Sequence, residues 1–484
     1  MMLNTIDWKP DKNADTPIYI QIKEFIQHKI EIGEWTVGTK IPSQRKMAEI
    51  FEVNRSTIVQ AFDELIADGL LEGNSGKGTR VKNNLWSLFS ATPATDWNHY
   101  VKKGIFQPNL PTIQDIHKVE PNPDIIRLGT GEPSPDLFPQ AMMADILHRL
   151  PLRIQSLGYE EEKGLLKLRE QLSIYLKTIG IHASASSILI VSGALQALQL
   201  ISLGLLKRGS TIFLEKPSYL SSLNVFQSSG INLHGIPVDH KGLPIKYIKQ
   251  QKKRQDASLL YTNPTFHNPT GYVMSLEQRK ELLQVCAEEQ LPIIEDDVYR
   301  ELWIDSPPPL PLKAMDRTGT VLYLGSISKA LSPGLRIGWV VGPEPVIERL
   351  ADIKMQTDYG ASSLSQWAVA EWLSSGLYAT HLEQMRASLR IRREVTLKIL
   401  ERDFVGISEW KKPSGGFYIW LRLPEQISLR DLFDEALTEG ILLNPGNLYD
   451  SGAVHHLRLS YAYASLEQLE KGLKKLSEII RKLL

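Results

Sequence analysis

One cysteine, Cys286, is present among 484 residues, which excludes an intrachain disulfide framework. It falls in an apparently helical stretch, where a buried structural thiol fits better than a nucleophile. No uninterrupted apolar run reaches the length of a membrane span, and Met1 to Lys9 lack a basic segment followed by an apolar core. A cytoplasmic protein without a membrane partner is expected. An excess of either charge is also missing: 55 basic residues face 55 acidic ones, so no strongly basic domain advertises nucleic acid. Internal repeats and long low-complexity tracts are absent.

What is there is a chain too long for one ordinary domain, with 42% hydrophobic residues, enough to bury large cores in two or three domains. Composition changes near residue 82 and again near 123. Residues 83–123 are rich in Asn, Pro and Thr, without sustained periodicity, and read as a connector. Trp86 and Trp97 would be wasted on a flexible tether, so the connector is expected to be partly ordered and to dock them. The division is therefore 1–82, a connector at 83–123, and 124–484.

In the first region, Thr16 and Pro17 read as an N-cap and first helical position, followed by the one-sided stripe Ile22, Phe25, Ile26 and Ile30, with Gly33 as the stop. Pro42-Ser43 opens a short second helix with Met47, Ile50 and Phe51 available to a core. After a tight turn at 52–54, a third helix carries Ile58, Phe62, Leu65 and Ile66 inward. That leaves Arg55, Ser56, Thr57 and Gln60 exposed at its start. Residues 70–72 and 79–82 flank the Gly-rich turn 73–78 as a two-stranded wing. Helix, helix-turn-helix and wing is a DNA-binding order.

The residues Pro17, Pro42-Ser43-Gln44-Arg45, Val53-Asn54-Arg55-Ser56-Thr57 and Gly76-Lys77-Gly78-Thr79 resemble the GntR family of winged-helix regulators. Asn54 stands where that pattern usually has serine, and Arg80 where it has an aromatic. Since this segment has no net basic excess, duplex DNA would be met locally. Ser43, Arg45, Arg55, Ser56, Thr57 and Lys77 are the candidates, with Arg55 aimed at a base edge and the hydroxyls and Lys77 at phosphates.

The strongest chemical signal lies at Ser326-Ile327-Ser328-Lys329, with Arg336 downstream. A lysine amine can form a Schiff base with pyridoxal 5'-phosphate, while Ser326, Ser328 and Arg336 supply phosphate donors. Ser192-Gly193-Ala194-Leu195 follows the apolar run 188–191 and starts a helix whose free N–H groups suit a phosphate. Tyr219, beyond the turn at Pro217, can stack on a pyridine ring. Asn268, in a Pro-flanked loop, can donate to a phenolic oxygen and Tyr299 can share it. Asp296 is chosen as the carboxylate opposite a pyridine nitrogen; Glu295 and Asp297 read as solvated carboxylates or helix caps.

In order and chemistry these residues resemble the cofactor shell of fold type I aminotransferases, over roughly 124–484. The resemblance implies an α/β domain, a Tyr159 that reaches the phosphate of the neighbouring subunit's cofactor, hence a homodimer, and an Arg458 that grips a substrate carboxylate. A GntR reader joined to such a domain resembles the MocR/GabR-type transcription regulators. That likeness implies sensing of a small amino acid or amine effector through an aldimine at Lys329. A working aminotransferase with a DNA-binding appendage is the alternative, because Asn268 and the rest of the shell follow the enzymes' pattern.

Overall fold

The computed structural model describes residues 6, 8–74, 78–83, 95, 97–104, 108–154, 157–238 and 242–484. The chain separates into two units, 1–105 and 106–484.

The first unit begins with α1 (Ile18–Glu31), α2 (Gln44–Phe51) and α3 (Arg55–Ala67). Strands β1 (Leu71–Asn74) and β2 (Gly78–Val81) follow, paired antiparallel with Leu71 opposite Val81. Ile22, Ile26 and Ile30 of α1 close on Met47, Phe51, Ile58, Phe62 and Leu65 in one core. Two local expectations change. Pro17 takes the cap position without a side-chain cap bond, and the Thr16 carbonyl accepts from the Gln21 amide. Ile66 is 40% exposed, because it lies about 100° around the helix from Leu65, off the stripe made by Ile58, Phe62 and Leu65.

The segment read as a connector carries two helices, α4 (Trp97–Lys103) in the first unit and α5 (Pro111–Val119) in the second. Trp97 is not docked as expected. It is 69% exposed, and its ring meets Tyr100 three residues on, where one face of a short helix brings them together. Trp86 lies outside the described residues. In α5, Ile116 is buried in the same core as Ile126 and Leu128.

The second unit is built on a seven-stranded sheet. Its strands are β4 (Ile188–Val191), β5 (Thr211–Lys216), β6 (Asn232–Pro237), β7 (Ala257–Thr262), β8 (Ile293–Asp296), β9 (Val321–Ser326) and β10 (Gly338–Val341). A two-residue strand, β3 (Ile126–Arg127), precedes them. The spatial order is β4-β10-β9-β8-β7-β5-β6, with β10 antiparallel to both neighbours and the remaining pairs parallel. Every residue of β4, β8, β9 and β10 is buried, as a sheet covered on both faces requires. Helix α6 (Ala194–Gly204) leaves β4 directly. Towards the C-terminus, β11 (Tyr418–Arg422) pairs antiparallel with β13 (His456–Ser460), and β12 (Ile441–Leu442) pairs parallel with β3. The carboxyl ends of β4, β5, β7, β8 and β9 thus face one side, where ligands bind in open α/β sheets.

Candidate functional site

At that edge β9 ends at Ser326, opposite Gly338, and the intervening loop folds back on itself. Ser326 Oγ lies 3.0 Å from Ser328 Oγ and 3.1 Å from the Ile337 carbonyl oxygen, and accepts from the Ser328 N–H at 3.1 Å. Lys329 Nζ donates to the Gly131 carbonyl at 2.7 Å. Arg336 adopts φ +54° and donates to the Ser192 carbonyl at 2.7 Å. Gly193, at φ +88°, caps the start of α6; a Cβ there would come within 2.7 Å of the Arg336 guanidinium, so only glycine lets the two approach.

Asp296 ends β8 and is 7% exposed. Burial pushes its carboxyl up to about 6, against the opposing hydrogen bonds from Tyr261 Oη at 2.7 Å and the Val298 N–H at 3.4 Å. Asn263 donates to the Asp296 carbonyl at 2.6 Å and accepts from the Asn268 N–H at 2.7 Å, tying the loop after β7 to the end of β8. Asn268 Nδ2 reaches Tyr299 Oη at 3.3 Å, and Tyr299 Oη lies 2.9 Å from Tyr418 Oη. The neighbouring acids are not solvated. Glu295 accepts from the N–H groups of Leu312 and Lys313 at 2.7 and 2.8 Å, capping the short helix Leu312–Met315, and lies 3.7 Å from Arg279. Asp297 is paired with Arg300.

Arg458 lies on β13 opposite Trp420 of β11 and is 5% exposed. It donates to Asn268 Oδ1 at 2.9 Å and to the Gly129 carbonyl at 2.7 Å. Its guanidinium sits 4.3 Å from the Tyr418 ring centre and 4.8 Å from that of Tyr449, within cation–π range of both. Its Nε has no hydrogen-bond partner, and among the described residues no carboxylate pairs with it.

A cavity of about 390 Å³ joins these groups. Lys329, Asp296, Asn268, Tyr299, Tyr219 and Arg458 line it together with Ser326, Ser328, Arg336, Gly193, Ala194 and Leu195. Tyr219 also donates its backbone N–H to the Asn268 carbonyl at 3.2 Å. Tyr159 is the one expected cofactor residue outside this cavity. It is 83% exposed, with its ring 5.2 Å from that of Tyr359 beside a separate cavity of about 400 Å³. Sequence reasoning missed Tyr261, Tyr418 and Tyr449; the first two lie in apolar strands, where a tyrosine reads as core.

In the first unit Ser43 is the N-cap of α2, accepting from the Lys46 N–H at 3.3 Å, and Asn54 caps α3 through the Ser56 N–H at 3.2 Å. Asn54 therefore does a capping task open equally to serine. Arg55 and Ser56 are exposed at the start of α3, with Thr57 half-buried beside them. Arg45 is exposed, 3.5 Å from Glu49. Several acids that balance the segment's charge are already paired: Lys23 lies 3.0 Å from both Glu64 and Asp68, and Lys9 pairs with Glu52. Arg80 donates to the Gly38 carbonyl at 2.7 Å, bracing the wing on the loop before α2. Lys77 lies outside the described residues.

The family model for bacterial regulatory proteins of the gntR family matches residues 18–81, and that for aminotransferase class I and II matches 123–476. An uncharacterized HTH-type transcriptional regulator of Bacillus subtilis, YdfD, is 54% identical over 98% of both chains. The HTH-type transcriptional regulator NorG of Staphylococcus aureus is 35% identical over 92% of this chain and 100% of its own. Among solved structures, the Pyrococcus horikoshii kynurenine aminotransferase, crystallised with PMP, superposes with a TM-score of 0.75 at 32% identity, covering 80% of this chain and 98% of that one. No described helix is long and apolar enough to cross a membrane. With a winged reader ahead of an aminotransferase fold and such relatives along nearly its whole length, the chain belongs to the HTH-type transcriptional regulators that join a GntR-family DNA-binding domain to an aminotransferase class I and II domain, the MocR/GabR-type arrangement.

Proposed function

We propose that the second unit binds pyridoxal 5'-phosphate, senses an amino acid at that site, and thereby changes how a homodimer of the chain engages duplex DNA. The residues of the cavity fit the cofactor in their chemistry. Lys329 offers the amine, and Asp296 the carboxylate for a protonated ring nitrogen. Ser326, Ser328, Arg336 and the N–H groups at the start of α6 offer phosphate donors, where a Cβ on Gly193 would fill the approach. Tyr219 supplies a ring face, and Asn268 and Tyr299 supply partners for the phenolic oxygen. When bound, the cofactor supplies an aldehyde that condenses with amines and a ring that withdraws electrons.

The protein's own groups hold and orient. Asp296, kept in place by Tyr261 and Asn263, holds a proton between itself and the ring nitrogen. Arg458 takes the carboxylate of the amino acid in a two-pronged bond, exchanging its present contacts with Asn268 and Gly129. Tyr159, exposed and outside the lining of its own cavity, serves the partner's cofactor phosphate, which makes the homodimer the working form. In the reader, Arg55 reads a base edge while Ser43, Arg45, Ser56, Thr57 and Lys77 meet phosphates.

One observation carries the reading: Arg458 is a buried cation with no carboxylate partner among the described residues, and it shares a cavity with Lys329. A desolvated charge of this kind calls for an anion that the protein does not itself provide. The test is to titrate amino acids into the purified, cofactor-loaded chain while following cofactor absorbance and DNA affinity together. Sensing gives a stable spectral shift with a change in DNA affinity. Steady release of a 2-oxo acid with DNA affinity unmoved would instead mark an enzyme with a DNA-binding appendage.

A further inference from the structure

Three consecutive residues after β3 tie the cavity to the residue that follows α5. The Gly129 carbonyl accepts from Arg458 at 2.7 Å, Thr130 Oγ1 donates to Glu120 Oε1 at 3.1 Å, and the Gly131 carbonyl accepts from Lys329 Nζ at 2.7 Å. Two residue steps span at most about 7 Å, so Glu120 is tethered to the same short segment that the arginine and the lysine hold. Glu120 directly follows α5, with its N–H on the Ile116 carbonyl at 2.8 Å. Half-buried, it lines the cavity together with the exposed Glu132, and Ile116 adds an apolar group to the same lining. Among the described residues, neither Glu120 nor Glu132 has a lysine, arginine or histidine partner. The opposite condition holds at Arg458: nine-tenths buried, facing the same cavity, its Nε without a partner and its charge without a counter-ion.

We propose that the effector is an α-amino acid with a cationic side chain, its carboxylate on Arg458 and its distal ammonium or guanidinium on Glu120 and Glu132. This rests on the sensing function proposed above and names the class of ligand that the site takes. Arg458 meets an anion, Lys329, Arg336 and Asp296 are taken up by the cofactor, and Glu120 and Glu132 are the carboxylates that remain, with the His117 imidazole of α5 also lining the cavity. A side chain with methylene groups for Ile116 and a terminal cation for Glu120 and Glu132 matches this lining. A neutral chain leaves two carboxylates unmatched, and an acidic one meets repulsion.

The experiment compares dissociation constants of L-lysine, L-ornithine, near-isosteric L-norleucine and L-glutamate on the full-length, cofactor-loaded protein, read by cofactor absorbance. Lysine or ornithine is expected to bind at least about tenfold more tightly than norleucine, and glutamate most weakly. The double variant Glu120→Gln, Glu132→Gln should bring the lysine-to-norleucine ratio to within about twofold. Thr130→Val, which frees Glu120 without removing it, should lower the ratio by a smaller factor. If norleucine or glutamate binds the wild type as well as lysine does, or the double variant keeps the ratio, the cationic class is wrong while sensing through Arg458 stands. If no amino acid perturbs the spectrum although borohydride fixes the cofactor on Lys329, the sensing function itself fails.

Discussion

The two units deploy their chemistry on opposite kinds of ground. In the reader, Arg55, Ser56 and Arg45 stand exposed on helix starts whose geometry is set by Ser43 and Asn54, and the core beneath them consists of unrelated apolar residues. In the sheet unit, Arg458, Asp296, Asn268 and Tyr299 are buried, and each is bonded to another group of the site. A surface that meets a phosphate backbone can leave its side chains in water until contact, since much of its affinity is electrostatic and local. A site that orients a small molecule must be organised before the ligand arrives, and it carries desolvated charge as the consequence. Function and stability should therefore separate in the reader and be entangled in the sheet unit.

The largest effect expected is all-or-none. Lys329→Ala should abolish borohydride-fixed cofactor on the chain, with DNA affinity changed by no more than about twofold, within the range of a distant substitution. Peptide mapping that finds the label on another lysine would break the comparison at its start.

Next comes a purely structural acid. Glu295 is fully buried against Arg279 and caps a helix, so Glu295→Ala should lower stability in urea by about 3–5 kcal/mol, whereas Arg55→Ala should stay within about 0.5 kcal/mol. Equal losses would erase the contrast.

Asp296 should behave with the opposite sign. Its carboxyl is raised to about 6 by burial, above the unfolded value near 3.9, so the folded state binds the proton more tightly and loses stability as pH rises from about 4 to 6. Asp296→Asn, measured without cofactor, should then gain about 2–3 kcal/mol at pH 7, and the gain should disappear below pH 4. A variant less stable than the parent at pH 7 would show that the carboxylate is structural rather than held for the ring nitrogen.

The smallest effect is the most local. Arg55→Ala should weaken binding to the preferred duplex by about 1–3 kcal/mol if it reads a base, without altering the cofactor spectrum. Footprints that are unchanged in strength and sequence preference would move the recognition surface elsewhere.

Much of this contrast was legible in the sequence because chain reversals announce themselves. Gly193, Asn268 and Lys329 all fall just beyond apolar strands, in stretches punctuated by Gly or Pro, where a backbone must turn and polar groups cluster. The reader was legible for a similar reason, through caps and a short apolar stripe. What the sequence hid depends on strands meeting far along the chain. Tyr261 reaches Asp296 only because β7 lies beside β8, and Tyr418 reaches Arg458 only through the register of β11 on β13. Glu295 read as a solvated carboxylate or a helix cap; it is a cap, but a buried one, and its partners Arg279 and the 312–313 backbone are too remote in sequence to be foreseen. Helix α5 escaped because nine residues give too few turns for periodicity to show, and its Pro111 start read as part of a connector.

The central claim is that one equilibrium links the two units. Its most direct measurement uses a duplex selected from a random pool by the full-length protein. The dissociation constant for that duplex is taken with and without saturating L-lysine, and the constant for L-lysine with and without saturating duplex. Linkage requires both constants to change by the same factor, in the same direction, and the change should vanish in Arg458→Ala. A duplex affinity indifferent to an amino acid that plainly shifts the cofactor spectrum would contradict the account, leaving a reader and an aminotransferase fold that share a chain without sharing a signal.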